Sequence, residues 1–170
     1  MIGNFLSWFI AFIIMSFYVN EKTDNVWLVI IGMFVGSLWT LWLHAYREAE
    51  RVIVKEKKIN HHKRFFIRSV VAFLIGLLTH FLMDGFQRFG YMTIVKAIAC
   101  AVYLGTIFWM LFDSFYSKAA GFAWDTIPHG PGQANTDNFF YNKKWLWVLS
   151  KIVGFILGIA LYYYALRLPL

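Results

Sequence analysis

Charge is what this 170-residue chain has least of: Asp, Glu, Lys and Arg together make up 15% of it, and from Met1 to Asn20 there is none. A soluble domain covers its core with polar side chains, and a chain that is 60% hydrophobic and 21% aromatic has too few to do so. Lipid must therefore be part of its solvent. Cysteine is represented by Cys100 alone, inside an apolar run, which excludes a disulfide framework or a Cys-based zinc site within one chain. The first apolar run also lacks the basic n-region and small-residue cleavage site of a removable signal peptide, so it reads as a retained span.

What the chain has instead is a series of apolar runs, several approaching the roughly 20 residues needed to cross a hydrocarbon core. They predict an all-α fold: one polytopic transmembrane helical bundle of about five spans, at residues 2–19, 26–46, 66–86, 93–113 and 145–166. The third and fourth are shorter at their apolar cores, Ser69 to Met83 and Ala97 to Phe112, and need flanking aromatics such as Phe65, Phe66, Phe86 and Tyr91 to reach across. The fifth carries Lys151 near one end, where a lysine stem can lie on apolar surface with its ammonium at the interface.

Orientation follows from the connections, because Lys and Arg resist translocation. Between the second and third spans lie Arg47, Arg51, Lys55, Lys57, Lys58, Lys63, Arg64 and Arg68, half of the chain's sixteen Lys and Arg. Lys118, Lys143 and Lys144 fall on the same side, against Lys22, Arg88, Lys96 and Arg167 on the other, placing the N-terminus inside and the C-terminus outside. The formal charge of +7 is explained by these connections and by anionic lipid headgroups rather than by nucleic acid. The inner connections, 47–65 and 114–144, differ in kind. His44 to Lys58 lacks Gly and Pro and has Glu48–Arg51 and Arg51–Lys55 spacings, predicting a cytoplasmic helical extension of the second span that ends near Asn60, with His61 and His62 in a solvated turn. Ser114 to Asn138, with Gly121, Pro128, Gly130, Pro131 and Gly132, predicts an irregular loop on the membrane face.

Two polar clusters carry potential chemistry. On the inner side His44 and Glu48 share a helical stripe, Asp113 ends the fourth span, and the loop adds Asp125, His129 and Asp137. Such His and carboxylate ligands suit a divalent metal able to activate water or polarise a phosphoryl group. No spacing matches a metal-hydrolase signature, and the competing reading is a set of ion pairs fixing the loop on the basic helix. Either way, Asp113 is expected to touch the loop around Asp137. The second cluster is His80 and Asp84, four apart on the third span, either a cation or proton relay or a mutually satisfied pair near the outer interface. Gly32 with Gly36, and Gly154 with Gly158, are small-xxx-small pairs for close helix packing within the chain or between subunits. Tyr162, Tyr163 and Tyr164 read as lipid-facing and interfacial.

Leu111-Phe112-Asp113, followed by Gly121, Trp124, Gly132, Ala134 and Asp137, together with His44-Ala45-Tyr46-Arg47, resembles small uncharacterised multi-span membrane proteins of Bacteroidetes-type bacteria and their phages. The resemblance touches about half the chain, implies a bacterial inner membrane or a phage-associated membrane, and implies no activity. Three function classes follow from the sequence. One is a structural or accessory subunit whose partners are membrane lipids, other membrane proteins or copies of itself. Another is a metal-assisted enzyme acting on a lipid-linked or phosphorylated substrate at the inner interface. The last is a small channel or transporter using His80 and Asp84.

Overall fold

Runs without a breaking residue become helices, and in the computed structural model, which describes residues 26–53, 61–84, 90–126 and 139–168, four of them dominate. They are α1 (Val26–Ile53), α2 (His61–Asp84), α3 (Tyr91–Ala119) and α4 (Lys144–Leu166), and each is long and apolar enough to cross a membrane. The expected span at 2–19 lies outside the described residues, as do Asn60, Lys55, Lys57 and Lys58 of the basic connection and residues 127–138 of the loop. Two boundaries differ from expectation. His61 and His62 open α2 rather than forming a turn. The fourth apolar run does not stop at Asp113: α3 continues to Ala119, because nothing between Ser114 and Ala119 interrupts the backbone ladder.

What stops α3 is a glycine. Gly121 adopts φ +83°, the left-handed conformation that costs an L side chain energy but glycine almost none. There its N–H donates to the Lys118 carbonyl and the Phe122 N–H reaches back to Ser117, the pair of bonds that closes a Schellman cap. The Ser117 hydroxyl, itself buried, then donates to the Thr126 carbonyl at 2.9 Å and ties the first turn of the loop to the helix end.

The third helix is the hub of the bundle. It packs on α1, α2 and α4, while α1 also touches α4. Between α2 and α3 the backbones come close at Gly76, where a Cβ would stand 2.6 Å from the Ala97 carbonyl oxygen and 3.1 Å from the Cys100 Cβ. Between α3 and α4 the contact runs as an antiparallel ladder. Thr106 fills the notch at Gly158 and Trp109 the notch at Gly154, where added Cβ atoms would come within 2.4 and 2.8 Å of their side chains. One turn farther along, Asp113 meets Lys151, and at the other end Tyr103 stacks on Tyr162 with ring centroids 5.5 Å apart. The Gly154 and Gly158 pair thus serves packing within the chain. Gly36 has nothing within 4 Å of its would-be Cβ.

Candidate functional site

At membrane depth an ionisable side chain needs a partner, and the helix ladder decides which partner it gets. On α4 the inward stripe is Trp147, Lys151, Gly158, Tyr162 and Ala165, all buried. Lys151 lies on that stripe, and its ammonium is turned into the bundle. It is 3% exposed, stands 3.7 Å over the centre of the Trp147 ring, and donates to Asp113 Oδ2 at 2.6 Å. A short charge-assisted bond combined with a cation held on an indole face satisfies the ammonium in two directions.

A second charged group joins α1 to α2, which do not pack backbone to backbone among the described residues. Arg68 of α2 bridges them. Its Nη2 lies 2.9 Å from Glu48 Oε2 and 2.9 Å from His44 Nε2, and its guanidinium carbon is 4.2 and 4.8 Å from the centres of the Phe108 and Phe112 rings of α3. A guanidinium only donates, so His44 Nε2 is the acceptor and the imidazole proton resides on Nδ1 in this arrangement. His44 and Glu48 are themselves 3.5 Å apart, brought together as the helical spacing predicts. Planar Arg matches this site because one face stacks on the rings while the edge bonds both acceptors. The sequence marked Arg68 only as a topology charge.

Of the six residues expected to converge around a metal, the structure describes four in full, and each of the three carboxylates among them is bonded to a cation of the chain. Glu48 holds Arg68, Asp113 holds Lys151, and Asp125 holds Lys144. Among the described residues no group of three or more His, Cys, Asp or Glu side chains is placed to hold a metal ion. His129 and Asp137 lie outside the described residues, and with them the expected contact between Asp113 and the loop around Asp137. Asp125 sits in the loop, where the Lys144 hydrogen bond is the main reason its carboxyl is held below the usual aspartate range.

Toward the other end of the bundle, His80 is fully buried and its Nε2 lies 3.1 Å from the Tyr162 hydroxyl. The Asp84 side chain, expected as its mate, is not among those described. Among the described residues His80 Nδ1 has no hydrogen-bond partner. Tyr162 is fully buried rather than facing lipid, and only Tyr164 of the three tyrosines is largely exposed. Its stacking mate Tyr103 donates its hydroxyl to the Ile30 carbonyl at 3.2 Å, so this network reaches α1 as well. The signal for Tyr162 was present in the sequence: it lies four residues after Gly158, on the face where the glycine lets α3 come close. Lys96, counted from sequence as an outer-side charge, is also buried. No family model, no curated protein and no solved structure matches the chain.

Proposed function

We propose that this small membrane protein is a structural or accessory subunit of a membrane assembly. The observation that carries the reading is the cross-helix use of its charges: Lys151 closes on Asp113 and Arg68 on Glu48 and His44, so these groups hold the bundle together. Reactive sites are built otherwise, with a nucleophile or acid beside a base and room for substrate. The outward faces of the helices, including Trp27, Ile31, Val35, Trp39 and Trp42 on α1, are large and apolar, and fit lipid or another transmembrane helix.

The test is purification in mild detergent from the native membrane, followed by cross-linking and mass spectrometry, with elemental analysis of the same sample. A stable complex with other membrane proteins supports the accessory role. A monodisperse protein without partners that carries a stoichiometric metal lost in Asp113→Asn or His44→Ala overturns it in favour of the enzyme reading. Transport is the second reading, favoured by one specific observation: the Nδ1 of His80 is buried and has no hydrogen-bond partner among the described residues. A proton or cation flux into liposomes that disappears in His80→Ala selects it.

A further inference from the structure

The end of the bundle where α1 finishes and α2 begins combines a strong excess of positive charge with an aromatic shelf. From Arg47 to Arg68 the sequence has eight Lys and Arg against Glu48, Glu50 and Glu56. The contacts of Arg68 with Phe108 and Phe112 put the first half of α2 beside the second half of α3. The same end of α3 carries the shelf: Phe122, Trp124, Phe139 and Trp145 are all exposed, with Trp124 at 69% and Trp145 at 71%. The shelf is fastened, not loose. The Schellman cap at Gly121 and the Ser117 bond to Thr126 fix its first half, and the Lys144–Asp125 ion pair joins the two halves. Exposed Lys118 and Lys143 flank it, Lys143 lying 4.3 Å over the Phe139 ring, and exposed Arg47 continues the positive charge onto α1.

Indole and phenyl rings partition to the headgroup level of a bilayer, and lysines and arginines beside them attract anionic phosphates. We propose that this end of the bundle is a binding surface for anionic phospholipid, with Trp124 and Trp145 seated among headgroups and Lys118, Lys143 and Arg47 contacting their phosphates. The occupant is a lipid because the cations frame rings that belong at the interface, and because the spans bring this surface to a leaflet whatever else the protein binds. The inference does not depend on the accessory role.

The probe is a bilayer nanodisc of mixed phosphatidylglycerol and phosphatidylcholine, in which the acyl chains of one lipid or the other are brominated to quench tryptophan. Subtracting the signal of the W124F/W145F variant isolates the shelf. In the wild type, brominated phosphatidylglycerol quenches this component more than brominated phosphatidylcholine at equal mole fraction. A lysine or arginine near an anionic surface contributes about five-fold in local preference, so Lys118→Gln, Lys143→Gln and Arg47→Gln together bring the two lipids to parity. These side chains are exposed, and unchanged far-ultraviolet dichroism verifies that the variant is folded. Equal quenching by both lipids in the wild type overturns the proposal. So does quenching by neither, which would place the shelf against protein, and so does a phosphatidylglycerol preference that survives the three substitutions.

Discussion

Removing one partner of the Asp113–Lys151 pair has different consequences depending on which is removed. The Lys151 side chain is 4% exposed and that of Asp113 is 19% exposed, so the ammonium has far less access to water than the carboxylate. In Asp113→Leu the ammonium keeps the Trp147 face but loses its anion inside the bundle. Breaking a buried pair from one side costs ~3–5 kcal/mol, and the retained cation–π contact lowers the expected loss to about 2–4 kcal/mol. In Lys151→Met the carboxylate can turn toward water near the helix end, and the expected loss is about 1–2 kcal/mol. The double variant replaces an ion pair by packed apolar groups and should lie near the wild type, so the coupling energy equals the sum of the two single losses, about 3–6 kcal/mol. The assay is reversible unfolding in mixed micelles titrated with a denaturing detergent, followed by tryptophan fluorescence and dichroism. Additive single losses, or a larger loss for Lys151→Met than for Asp113→Leu, would refute the reasoning.

Three further outcomes follow from the same contacts. Gly76→Ala drives a Cβ into the Ala97 carbonyl of the neighbouring backbone and should cost about 1–3 kcal/mol, whereas Gly36→Ala meets open space and should be neutral or gain up to ~1 kcal/mol from helix propensity, both read in the same unfolding assay. Arg68→Lys cannot bond His44 and Glu48 while covering two rings, and should lose about 1–2 kcal/mol together with a spin-label distance between α1 and α2 that broadens; an unchanged distance would show that other contacts hold those helices. Carbon-detected NMR should find Asp125 titrating below an ordinary aspartate and returning toward the usual range in Lys144→Gln. Because the folded value is depressed, the contribution of this contact is present above the unfolded aspartate value and is lost as pH falls through the folded one.

Much of the architecture could be read from residue order, and what could not has a common cause. The four described spans follow from apolar length, and the stop of α3 was signalled by Gly121 even though the run was expected to end at Asp113. His44 and Glu48 were placed together because their spacing is local. Lys151 with Asp113 and Arg68 with Glu48 were not, being 38 and 20 residues apart on different helices. Periodicity tells which face of a helix is buried but not which face of which neighbour it meets. One further piece of information closes that gap, namely the register of α3 against α4. Thr106, Trp109 and Asp113 fall on one stripe of α3, and Gly158, Gly154 and Lys151 on one stripe of α4. Steps of three and four residues along the first are met by steps of four and three back along the second, so both cover about two turns, as antiparallel helices require. Once Thr106 is set into Gly158, the ladder brings Asp113 to Lys151 and Tyr103 to Tyr162 without further choice. The buried charge pair and the buried tyrosine are therefore two ends of one packing decision, made by a pair of glycines.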